Sequence, residues 1–187
     1  MYLTNGDEDS KIRRKNLLIS GRERKTMVYL IIILFLAAGD LGIKYWIEQQ
    51  KPEEFPRPLA HTKEKIWLYR NHNAGFPFGF LEKYGELVRT FPLVIISALG
   101  GVLCYLVPKK GHTAEKIGIA VILGGALSNL YDRYVRRYVV DFFSIRLGAL
   151  KKVVFNLGDI CVFLGAAILM ILQVLGEWKC NRQEKKS

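Results

Sequence analysis

Two aspartates in this chain stand where carboxylates could act together. Asp141 closes the apolar run Tyr138-Val139-Val140, and Asp159 follows Phe155-Asn156-Leu157-Gly158 at the head of a long apolar block. Two carboxylates a few ångströms apart do not both ionise readily, so one keeps a proton and their pKa values separate. Water held between them meets a general base on one side and a general acid on the other, which is peptide hydrolysis without a covalent intermediate. Either aspartate alone would read as a helix cap. Their common placement at an apolar–polar boundary, on separate elements able to converge, is what points to chemistry. Rival nucleophiles are poorly placed: His61 and His72 lie in a polar stretch, away from Cys104 and Cys161 inside apolar blocks, where a thiol acts as a small hydrophobe. Together with Cys180 the three cysteines form no disulfide or metal spacing, and neither do the three histidines, so no metal and no cofactor is expected.

More ionisable groups fall inside or at the ends of apolar blocks, where each costs roughly 2.5–3.5 kcal/mol to insert into a membrane and is a functional candidate by default. Asp40 and Lys44 are four apart, on one helix face, and able to pair; the bland alternative has Lys44 snorkelling outward. Asn129, Asp132 and Arg133 share a face by spacing. Arg133 keeps its charge at any relevant pH and can make two parallel bonds to a carboxylate or a peptide; otherwise the three only brace a helix end. Gly124, Gly125 and Ser128 just upstream are small enough to let helices approach closely.

The elements that must position these groups are apolar helices. Half of the 187 residues are hydrophobic and 24% are charged, with a net charge of +11. The apolar residues gather in four blocks: Met27–Ile47, Thr90–Val107, Ile117–Tyr131 and Ile160–Gly176. A bilayer core of about 30 Å takes roughly 20 helical residues, about 17 at the least, and backbone in lipid must satisfy its own hydrogen bonds. The expectation is an all-α polytopic membrane protein with four transmembrane helices, the third completed by Asn129, Asp132 and Arg133. The first block is too long for a cleaved leader and ends in Asp40, Lys44 and Trp46, so it is expected to stay.

Charge placement also excludes a soluble nucleic-acid binder. Lys and Arg concentrate before the first block, in the 108–116 loop and in the tail, which would put both termini in the cytoplasm; Arg136, Arg137, Arg146, Lys151 and Lys152 run against the rule. The organisation expected is a basic cytoplasmic tail over 1–25, poorly ordered through residue 20 and in contact with membrane lipids, a membrane domain over 26–178 with an outer loop at 48–89, and a second cytoplasmic tail over 179–187. Ile66-Trp67-Leu68-Tyr69 and Val153-Val154-Phe155 are rich in strand formers, and 71–79 holds turn residues, so a small sheet on the outer face is expected.

These residues resemble the lipoprotein signal peptidases (signal peptidase II). Asp40-Leu41-Gly42-Ile43-Lys44 is similar to the family's Asp-Gln-x-x-Lys, with Leu41 for Gln; Asn71-His72-Asn73-Ala74-Gly75-Phe76 is similar to Asn-x-Gly-Ala-x-Phe, with Asn73 for Gly. The Gly124–Arg133 block resembles the third-span motif with Ser128 for Gly, Val139-Val140-Asp141-Phe142 is unaltered, and Phe155-Asn156-Leu157-Gly158-Asp159 keeps the last motif with Gly158 for Ala. The resemblance implies four transmembrane helices with a small β cradle on the extracytoplasmic face, and a catalytic dyad of Asp141 and Asp159. It also implies that Asn71, Asn129, Arg133 and Asn156 position the substrate or the dyad, with Asp40, Lys44 and Asp132 supporting the site. The implied enzyme is a monomeric aspartic endopeptidase of the bacterial cytoplasmic (inner) membrane, without nucleic-acid partners. It removes signal peptides from prolipoproteins by cutting before a lipobox cysteine that carries diacylglycerol. The alternatives are a non-enzymatic small membrane carrier, which would want midplane carboxylates and repeat symmetry, and a paralogue that binds lipoproteins without cutting them.

Overall fold

The computed structural model describes residues 6–74 and 85–184. Four helices, α1 (Gly6–Glu48), α2 (Gly85–Leu106), α3 (Thr113–Val135) and α4 (Leu157–Glu184), are joined with three strands, β1 (Arg57–Pro58), β2 (Ile66–Asn73) and β3 (Val139–Ile145). Two helices have stretches long and apolar enough to cross a membrane, Thr26–Glu48 and Leu157–Trp178, while the apolar part of α2, Thr90–Leu106, is shorter. As expected, α3 continues through Asn129, Asp132 and Arg133.

The α3 helix is the inner member of the bundle. Tyr29 and Ile33 of α1, Ile96 and Leu103 of α2, and Ile119, Ala120 and Leu123 of α3 form one buried cluster. Against α4 the contact is closer still, glycine to backbone. A Cβ on Gly125 would lie 2.2 Å from the Gly158 carbonyl oxygen, and one on Gly165 would lie 2.5 Å from that of Gly118. Without side chains there the two backbones meet, the means by which helices associate where water does not drive them together. Large apolar side chains face outward on the other surfaces, among them Phe35, Leu34, Phe163 and Met170.

The sheet is antiparallel in the order β1-β2-β3. Ile47 at the end of α1 packs with Val140 and Phe142 of β3, fastening the sheet to the helix ends. The register of β2 on β3 slips once: Leu68 pairs with Phe143, but Asn71 pairs with Asp141. A one-residue slip exchanges the two faces of everything beyond it. Continued from Leu68–Phe143 without the slip, the pairing would set Arg70 opposite Asp141; with it, Asn71 and Asn73 take that face.

Two expectations are corrected. The strand-like 153–155 contributes only a single bridge, Phe155 to Phe143, and the third strand is Val139–Ile145; a 3-10 turn at Gly148–Lys152, bonded to Ser144 of β3, takes up the chain between them. The segment before the first apolar block is no irregular tail: α1 runs unbroken from Gly6. Once the apolar block has nucleated a helix, each further residue adds one hydrogen bond at little entropic cost. Of the turn-rich 71–79 stretch, residues beyond Ala74 lie outside the described residues.

Candidate active site

Asp159 is held by the start of α4. Asn156 is the residue before the first helical turn; its Oδ1 accepts the Asp159 N–H at 2.8 Å, and Asp159 Oδ2 accepts the Asn156 N–H at 3.2 Å. This reciprocal pair satisfies two backbone donors that any helix start leaves open. It also fixes where the Asn156 amide nitrogen points. Asn156 Nδ2 donates to Asp141 Oδ1 at 2.7 Å, so one buried amide joins the two aspartates, accepting from the backbone of one and donating to the carboxylate of the other.

Asp141 sits on β3, only 3% exposed. Its second oxygen accepts from Asn73 Nδ2 at 3.1 Å, across the sheet. Burial and, next, the charge of Asp159 push its pKa up to about 6, against the pull of the bonds from Asn156 and Asn73 and of the Lys44 charge. The charge of Asp159 therefore reaches the Asp141 carboxyl.

Beneath the pair lies a buried ionic network. Lys44 is fully buried, and its ammonium donates to three acceptors: Asp40 at 2.6 Å, Asn129 Oδ1 at 2.7 Å and Asp132 at 3.1 Å. Three acceptors exhaust an ammonium's donors. With its oxygen on Lys44, Asn129 turns its Nδ2 to Asp159 Oδ1 at 3.0 Å. Asp40 also accepts from Ser128 Oγ at 2.7 Å and the Gly158 N–H at 3.0 Å; Asp132 accepts from Arg136 at 2.9 Å and the Val140 N–H at 3.2 Å. The network thus ties α1, α3, β3 and α4 into one frame beneath the carboxylates. Lys44 does not snorkel.

Arg133 is half-buried on the wall of a groove of about 210 Å³ lined also by Pro92, Ala126, Asn129, Asp159, Val162 and Phe163. Among the described residues its guanidinium has no hydrogen-bond or ion-pair partner, although the charges of Asp159, Asp141 and Asp132 act on it. Asn71 lies opposite Asp141 in the register, but its side chain is exposed and makes no hydrogen bond among the described residues. Asn73 makes the contact instead.

Three contributors were not read as site residues from sequence. Asn73 stood only as a departure from a motif, and Ser128 only as a small packing residue. Glu48, at the last turn of α1, accepts from Arg70 at 3.2 Å, His72 at 2.8 Å and the Tyr138 hydroxyl at 3.2 Å, and so anchors the far face of β2. Its one legible signal was a carboxylate at the end of an apolar block.

A family model described as signal peptidase (SPase) II matches residues 31–175. The chain belongs to the signal peptidase II family. Membership makes it a membrane protease of lipoprotein processing. Among its relatives are the lipoprotein signal peptidase of Serratia marcescens, 31% identical over 161 residues that cover 86% of this chain and 93% of the relative, and that of Clostridioides difficile, 30% identical over 155 residues, 82% and 99%. A solved bacterial membrane enzyme shares the fold, with a TM-score of 0.64 at 23% identity, over 79% of this chain and 87% of that one.

Proposed function

We propose that Asp141 and Asp159 are the catalytic dyad of an aspartic endopeptidase that cuts prolipoproteins immediately before a cysteine carrying diacylglycerol. The observation that carries this reading is the amide of Asn156, bonded to both aspartates beside a groove that Arg133 lines. In the one-proton state the ionised carboxylate takes a proton from water as the water oxygen attacks the scissile carbonyl carbon. The protonated carboxyl gives its proton to the carbonyl oxygen, yielding a neutral gem-diol. Collapse returns that proton to a carboxylate, breaks the C–N bond and protonates the leaving nitrogen. In this scheme the groove's apolar residues, Pro92, Val162 and Phe163, take the lipid-bearing end of the substrate, and Arg133 takes the peptide backbone.

The same reading sets all four helices across the bacterial cytoplasmic membrane, with the sheet and dyad on the outer face and both termini in the cytoplasm. The substrate's lipid holds its cysteine at headgroup depth, and a dyad at the outer end of α4 meets it there. A monomer holds every group the scheme uses.

The test is cleavage of a diacylglyceryl-modified lipobox peptide by purified protein in detergent. Wild type cuts before the cysteine, while Asp141→Asn and Asp159→Asn do not. Each variant gives up one accepted hydrogen bond, worth about 1–3 kcal/mol, but also relieves like-charge repulsion, so melting should change little. Turnover by either folded variant removes that residue from the dyad.

A further inference from the structure

Asn73 is the last residue of β2, yet its amide reaches a buried carboxylate. The reason is the slip between Leu68 and Asn71, which brings 71 and 73 to the face of Asp141. His72, between them, points the other way, bonded to Glu48 at 2.8 Å and stacked on Tyr138 with ring centroids 4.1 Å apart. With its neighbour pinned, residue 73 is a diagonal neighbour of Asp141, within side-chain reach across an antiparallel pair. The contact runs from Nδ2 to Oδ2 at 3.1 Å, and only the amide nitrogen of an asparagine can donate there.

We propose that Asn73 is a positioning residue whose amide favours the charged form of the Asp141 carboxyl and so sets the pH at which the pair gives up its last proton; this rests on the dyad reading above. The two oxygens of Asp141 each accept one amide bond, Oδ1 from Asn156 and Oδ2 from Asn73. The two donors differ in kind. Asn156 also caps α4 and cannot be removed without disturbing Asp159, whereas Asn73 reaches Asp141 from the end of β2. The charged groups that act on Asp141 are Asp159 of α4 and Lys44 of α1, with Arg133 of α3 further along the groove. Bonds donated to a carboxylate favour its charged state, so removing this one moves Asp141's pKa upward from about 6.

The experiment titrates Asp141 directly. The infrared band of its protonated carboxyl, identified by its loss in Asp141→Asn, is followed against pH in wild type, Asn73→Gly and Asn73→Asp. The midpoint should rise by about one pH unit in the Gly variant and further in the Asp variant, which adds a like charge. Asn73→Ser, too short to reach, should shift the same way should glycine loosen the strand end. In the cleavage assay the alkaline limb of kcat/KM moves by the same amount. An unmoved midpoint in all three variants, or a uniform loss of kcat/KM with the limb in place, overturns the proposal. The infrared titration needs no substrate, so it reads Asn73 even if the dyad reading fails.

Discussion

Arg133 is the residue whose role the structure narrows most. A guanidinium that only braced the end of α3 would be bonded to it, but among the described residues it has no such partner and lines the groove beside Asp159. Lysine keeps the charge and loses the fork. Arg133→Lys should therefore melt like wild type in detergent and cleave about ten- to a hundredfold more slowly, the loss of one charge-assisted contact of about 1.5–3 kcal/mol in the transition state. Unchanged cleavage would make Arg133 structural. At this scale Asp141, Asp159 and Asn129 stood out because polar residues at the ends of apolar blocks are costly and so few, while Asn156 entered only through the family resemblance. Asn73 and Glu48 did not stand out. Which face of β2 looks at Asp141 depends on a register slip between Leu68 and Asn71, and alternation alone carries no trace of it.

The helices were legible as apolar blocks, while their closeness was legible only in part. Gly124, Gly125 and Ser128 announced a tight contact, but the partner, Gly158, looked like a conservative change in a motif. Gly125→Ala should force α3 and α4 apart, because its Cβ would meet backbone at Gly158 and the Cβ of Cys161 at 2.7 Å, and should draw Asn129 off Asp159. The expected outcome is a clearly lower melting temperature together with lost cleavage. Gly42→Ala, with nothing within 4 Å, serves as the control and should be neutral or slightly stabilising; equal effects of the two would refute the contact. Lys44→Met leaves Asp40 and Asp132 buried without their shared cation. Breaking a buried ion pair from one side costs about 3–5 kcal/mol, so this variant should unfold at markedly lower temperature or fail to accumulate in membranes. The sheet was harder to read than the helices. Strand formers at 153–155 were as good as those at 139–145 by composition, and the difference lies in what β2 can reach.

For the whole molecule, the proposed topology makes a sharp prediction. A cysteine placed in the tail after Lys179 should be closed to an impermeant thiol reagent in intact cells and open after lysis, while one at Lys63, on the exposed approach to β2, should be open in both. Labelling of the tail in intact cells would overturn the orientation. The charge rule behind it is weakened by Arg136 to Lys152, and the structure supplies uses for some of these residues. Arg136 holds Asp132, and Arg146 bonds the Tyr69 hydroxyl at 3.2 Å while lying over Trp67.

Phe163 lines the groove and is also 66% exposed, on an outward apolar face. A groove with such a wall is open sideways. A substrate anchored by a lipid, as proposed above, would never need to leave the bilayer to reach it, and its search for the enzyme would become diffusion in a plane. The quantity that governs encounter is then the number of substrates per lipid rather than per litre. Adding empty lipid or detergent at fixed substrate would slow the reaction as surely as adding water slows a soluble enzyme.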